Sequence, residues 1–141
     1  MGGKIIYTNA LDRIEAENLI GFFVGWPNPP SPATHLRLLR QSDERLLAID
    51  ALTGNVVGFI TAITDGVLAA FIPLLEVLPD YQGQGIGQRL VREMLTRLDH
   101  LYAVDLLCDP ELQPFYARCG MRPAIGMMAR NYARQSGSTR A

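Results

Sequence analysis

Apolar and polar positions change period several times along the chain, and each change predicts an element. Lys4 to Ala10 reads as a first strand. Leu11, Ile14, Leu19, Phe22 and Phe23 then recur at roughly helical spacing, with Asp12 placed as a cap, and predict a helix from Leu11 to Trp26. Trp26 to Pro32 holds four prolines in seven residues and cannot be helical. Ser31 or Thr34 can start a second helix through Leu36, Leu38 and Leu39. After Asp43 come three short apolar runs, "RLLAIDAL", "VVGFITAI" and "VLAAFIPLLEVL", parted by Gly54-Asn55 and Asp65-Gly66. Those dipeptides are hairpin signals, so the runs predict an antiparallel meander.

From Gly87 the period is helical again. Leu90, Val91, Met94, Leu95 and Leu98 make one apolar stripe, leaving Arg89, Arg92, Glu93 and Arg97 for solvent. Leu101 to Cys108 reads as another strand, Pro114 to Cys119 as a short helix closed by Gly120, and Pro123 to Tyr132 as a last strand. Residues 133–141 read as a disordered tail, which leaves residues 1–132 as a single domain.

Composition narrows the functions available. The chain has 141 residues, 48% apolar and 19% charged, which suits one globular domain. A net charge of -1 argues against nucleic acid as a partner, since that needs a clearly basic face. The opening residues lack the apolar stretch of a signal peptide, and Ile6 stands where a myristoylation motif wants Ser or Thr. The longest apolar run, Val67 to Leu75, is too short for a bilayer and contains Pro73. The expected location is therefore cytoplasmic, with no membrane partner. Cys108 and Cys119 form neither a disulfide framework nor a zinc set, and His35 and His100 lack acidic company, so no metal is expected.

The chemistry concentrates at Gln82, Gly83, Gln84, Gly85, Ile86, Gly87 and Gln88, three glycines in five residues running from a strand into a helix. A helix N-terminus offers unpaired N–H groups and a positive dipole end, and glycine lets an anion approach them closely. A nucleotide P-loop would need Lys and Ser or Thr after its last glycine, where Gln88 and Arg89 stand. A dinucleotide fingerprint would need glycine or alanine at Gln88 or Leu90, and a longer chain behind it.

What remains, Gln82-x-x-Gly85-x-Gly87, resembles the pyrophosphate-binding loop of the GNAT superfamily of acetyl-coenzyme A N-acetyltransferases. "LEVLPDYQGQGIG" looks like that family's fourth strand running into its loop. "CDPELQPFYARCGM" is similar to its last block, where an Asn is followed seven residues later by Tyr and four further on by Gly. Here these are Asp109, Tyr116 and Gly120, and Asp109 departs from the pattern. The resemblance covers Ile5 to Tyr132.

The resemblance implies an α/β (α+β) fold with a mixed, mostly antiparallel sheet of six to seven strands and about four helices. It implies acetyl-coenzyme A as cosubstrate, held by the loop, by Leu75 and Val77 on the fourth strand, and by Asp109 and Phe115. The amine would attack the thioester directly, with the Val77 N–H facing the oxyanion and Tyr116 protonating the leaving sulfur. Glu76, a carboxylate in an otherwise apolar strand, is the candidate base, and a water chain is the alternative. Arg89 or Arg92 could meet a coenzyme phosphate. The acceptor is a small-molecule or peptide amine, and Trp26 with Phe22 or Phe23 suggests an apolar wall around it. A homodimer stays open. So does a coenzyme-binding module without catalysis.

Overall fold

The computed structural model describes residues 3–138. Its strands, β1 (Ile5–Thr8), β2 (Glu44–Asp50), β3 (Val56–Thr64), β4 (Ala69–Val77) and β5 (Ala103–Asp105), lie side by side in chain order. The first four pair antiparallel, while β5 runs parallel to β4. A parallel neighbour requires a crossover, and α2 (Ile86–Arg97) supplies it. α1 (Pro32–Gln41) precedes the meander and α3 (Gln113–Arg118) follows β5.

The helices divide the core in two. Leu90, Val91 and Met94 of α2 bury against Leu46, Ile60, Ala62 and Ile72 on one face of the sheet. A Cβ at Gly58 would stand 3.2 Å from Ile86 and 3.3 Å from Leu90, so the bare β3 backbone lets α2 settle closely. On the opposite face Leu36 and Leu39 of α1 meet Leu47, Phe59, Leu19 and Phe22.

Much of the predicted pattern holds. Ser31 caps α1, its side chain accepting from the Thr34 N–H, and Pro32 takes the first turn. The meander forms where expected. Each connection is longer than a two-residue turn and is held by an aspartate: Asp50 accepts from the Leu52 N–H, and Asp65 from those of Val67, Leu68 and Ala69.

Four expectations are corrected. Among the described residues, the sheet has five strands rather than six or seven, flanked by three α-helices rather than four. The helix predicted from Leu11 to Trp26 is absent: only Ala16–Leu19 coils, as a 3-10 turn opened by Glu15 and Asn18 instead of Asp12. Beyond it Gly21 and Phe23 take φ of 101° and 63°, which turn Phe22 and Phe23 into the core at the expense of helical geometry. The strand predicted for Leu101 to Cys108 shrinks to Ala103–Asp105. Pro123 to Tyr132 forms no strand, and Ile125, Met127 and Met128 stay exposed.

Residues expected in the tail fold back in part. The Asn28 N–H donates to the Gln135 side chain at 3.0 Å, and Arg37 donates to the Gly137 carbonyl. Thr139 to Ala141 lie outside the described residues. Among those described, no helix is long and apolar enough to cross a membrane.

Candidate active site

Pro73 marks the irregularity that makes the site. Thr61 faces Leu74 across the ladder but Ile63 faces Phe71, so β4 carries one extra residue beside Pro73. Proline lacks the N–H a regular ladder needs, and a bulge tolerates it. The β4–β5 ladder runs from Ala69 with Ala103 to Phe71 with Asp105 and ends there. β4 continues to Val77, so its later residues carry an edge that β5 does not cover.

Which backbone groups face that edge follows from strand alternation. Leu78 N–H donates to the Val57 carbonyl at 2.8 Å, toward β3. Val77 and Leu75 therefore turn their amides the other way, into the opening. The Val77 carbonyl is already satisfied by the Gln82 side-chain amide at 3.0 Å, whereas its N–H stays available to a ligand.

Directly beyond lies the glycine loop. Pro79–Tyr81 makes a 3-10 turn, and Tyr81 donates its hydroxyl to the buried Asp50 at 2.7 Å, tying the loop's entry to the end of β2. That bond and the Leu52 N–H hold the Asp50 carboxyl below its usual range, while the same partner raises the Tyr81 phenol. Gly83 and Gly85 have φ of 80° and 83°, left-handed values that glycine adopts without strain. Gly85 stands at the α2 N-cap with no side chain capping it, and the first helical bond to Gly85 comes from the Arg89 N–H. The N–H groups of Ile86, Gly87 and Gln88 thus have no intrahelical acceptor, as a phosphate cradle requires. These residues fit the pyrophosphate of a coenzyme.

α3 closes the same side. A Cβ on Gly87 would lie 3.4 Å from the Phe115 ring and 3.6 Å from Val77, so β4, α2 and α3 converge there. Tyr116 packs edge-on against Phe115, ring centroids 4.9 Å apart. Burial, with Cys108 and Cys119 nearby, pushes its phenol up to about 12, so it keeps its proton throughout the physiological range. Asp109 contributes its carbonyl to the Leu112 N–H, and its side chain makes no capping bond.

Glu76 lies on the other side of β4. Leu75 and Val77 pack with the α2 cluster, whereas Leu74 and the Glu76 side chain face α1 and the loop before it. The two Glu76 oxygens accept from Phe23 N–H at 2.8 Å and Val24 N–H at 3.3 Å. That anchor for the strained Phe23 backbone is a function the sequence did not reveal. The helix arginines are also engaged: Arg89 pairs with Glu93 at 2.8 Å and lies over the Tyr7 ring, and Arg92 donates to the Arg118 carbonyl. Among the described residues, no three His, Cys, Asp or Glu side chains gather as a metal site.

An opened β4 edge thus stands beside an uncapped, glycine-led helix, and both leave backbone N–H groups without a partner in the fold. The chain belongs to the Acetyltransferase (GNAT) family, whose model matches residues 11–121. It is 40% identical over 70 residues to GCN5-related N-acetyltransferase 3, chloroplastic, of Arabidopsis thaliana, covering 48% of this chain and 29% of that protein. The match thus spans less than a third of that relative's length. A crystal structure of a protein named only provisionally as an acetyltransferase, from Deinococcus radiodurans R1, superposes with a TM-score of 0.93 at 42% identity, covering 99% of both chains. A GNAT family acetyltransferase from Streptococcus pneumoniae TIGR4 superposes at 0.70 with 29% identity, over 91% of this chain and 97% of its own.

Proposed function

We propose that the protein is an N-acetyltransferase that moves the acetyl group from acetyl-coenzyme A to a primary amine in a ternary complex. The observation that carries this reading is the β4 edge beyond Phe71, which opens against the uncapped start of α2. The coenzyme supplies an activated thioester, and its pyrophosphate suits the amides of Gly85 to Gln88. Val77 offers its N–H to the developing oxyanion, a donor already fixed in place by the sheet. Tyr116, neutral and partly buried, gives a proton to the departing thiolate.

For the base, Glu76 is the carboxylate closest along the chain to that N–H, and it retains lone pairs beyond its two backbone bonds. Those same bonds favour the competing reading, in which Glu76 only anchors the loop and water carries the proton away.

Thermal unfolding with and without acetyl-coenzyme A tests coenzyme binding, because a ligand of the folded state raises the melting temperature. Gly85→Val should remove most of that rise, since a β-branched residue resists φ near 83° and would crowd the phosphate. An undiminished rise would sink the loop assignment. Thiol release on adding amines then separates an enzyme from a silent coenzyme-binding module.

A further inference from the structure

We propose that the acceptor cleft selects a primary amine with an apolar or aromatic body and a carboxylate, of the size and kind of a free aromatic α-amino acid. The inference rests on the acetyl-transfer reading and assigns its substrate class.

The cleft, about 270 Å³, lies on the Glu76 side of β4. Leu74 forms its floor two residues before Glu76. Phe23, whose N–H Glu76 holds, and Trp26 form one wall. Thr34, Arg37 and Leu38 line another from one face of α1, as their spacing dictates. The volume falls just short of the roughly 300 to 1,000 Å³ of drug-sized ligand sites, which suits a ligand of amino-acid dimensions.

Charge narrows the choice. Among the described residues, Arg37 is the only charged side chain lining the cleft, and no carboxylate lines it. A polyamine or aminoglycoside, with several ammonium groups, would find no anion to meet there and would face the Arg37 cation. Arg37 spends one contact on the Gly137 carbonyl, which holds its head in place. The remaining N–H groups of its fork suit a carboxylate. Phe23, Trp26, Leu38 and Leu74 supply the apolar enclosure that an aryl or alkyl body needs.

Trp26 is the only tryptophan in the chain, so its fluorescence reports occupancy independently of turnover. Phenylalanine, phenethylamine and spermidine should be compared by thiol release and by fluorescence titration, in the wild type and in Arg37→Gln. Phenylalanine should perturb Trp26 and turn over faster than spermidine. Arg37→Gln should raise its KM roughly 10- to 100-fold, the worth of a hydrogen bond to a charged group, and phenethylamine should show no such rise. Preference for spermidine, an unresponsive Trp26, or an equal penalty on both aromatic amines would overturn the assignment. If phenylalanine shifts Trp26 through Arg37 and yet no amine releases thiol, the cleft assignment stands and the acetyl-transfer reading falls.

Discussion

The two faces of the sheet reach order by different means. On the α2 face, a periodic helix covers alternating strand residues, and the polar groups left open are backbone amides positioned by the sheet, by the helix start and by two left-handed glycines. On the α1 face, an irregular segment is held by side-chain bonds: Glu76 to Phe23 and Val24, Gln135 to Asn28, Arg37 to Gly137. A common cosubstrate can be met by backbone geometry, which tolerates sequence change. On the proposed reading, the acceptor is met instead by the side chains of the α1 face.

Tyr116→Phe on the α2 face should have the largest effect. General acid catalysis contributes about 10² to 10⁴ in rate, or roughly 3 to 5 kcal/mol. Turnover should fall by that order while coenzyme affinity holds, because the ring and its contact with Phe115 remain. With the phenol pushed up to about 12, any basic limb of the rate profile well below that pH should survive in the variant. Equal loss of affinity would move Tyr116 from proton donor to coenzyme contact.

His35 tests the α1 face. It is 1% exposed, neither ring nitrogen has a partner, and its ring lies among Phe22, Phe23 and Phe59. Burial lowers its pKa from 6.5 to about 4. As pH falls below about 6.5 the unfolded chain takes up the proton first, so stability drops until pH reaches about 4, by about 3 kcal/mol in all. Above 6.5 His35 contributes no slope. Asp50 and Asp65 lose stabilisation at still lower pH, so the informative quantity is the difference between wild type and His35→Phe in urea unfolding. Parallel pH curves would show that His35 protonates as easily in the fold as outside it.

Glu76→Gln follows, replacing one acceptor with a donor that faces the Val24 N–H. A hydrogen bond to a charged group is worth about 1.5 to 3 kcal/mol, and the loss should approach the lower end because one oxygen still accepts. A stability loss with an unchanged acidic limb of the rate profile would make Glu76 the anchor alone. A displaced limb would make it the base.

Tyr81→Phe should do least to turnover. It removes the bond to Asp50 at the entry to the glycine loop, so coenzyme affinity should weaken more than global stability. Unaltered affinity would show that the loop keeps its shape without that tie.

These faces were unequally legible. Regular α2-face elements and the glycine loop could be read because their causes are local: a 3.6-residue stripe, hairpin signals, and glycines where φ must be positive. Pro73, read in the sequence only as an argument against a membrane span, stands at the bulge that opens β4. On the other face, Leu11 to Trp26 carries a helical spacing that tertiary contacts override, with Glu76, more than fifty residues away, fixing Phe23 and Val24. Pro123 to Tyr132 has the composition of a strand, but a strand exists only where it pairs, and this segment joins neither edge of the sheet.

The sequence by itself determined the order of most elements, the start of α1 near Ser31 and the glycine-rich loop from Gln82 to Gln88. Only the tertiary structure decided that the Glu76 carboxylate accepts from Phe23 and Val24, and that Arg37 and the residues near Gln135 enclose one cleft. Spacing along a chain encodes local dihedrals and faces, whereas a cavity is made by residues whose separation in sequence carries no information about their distance in space.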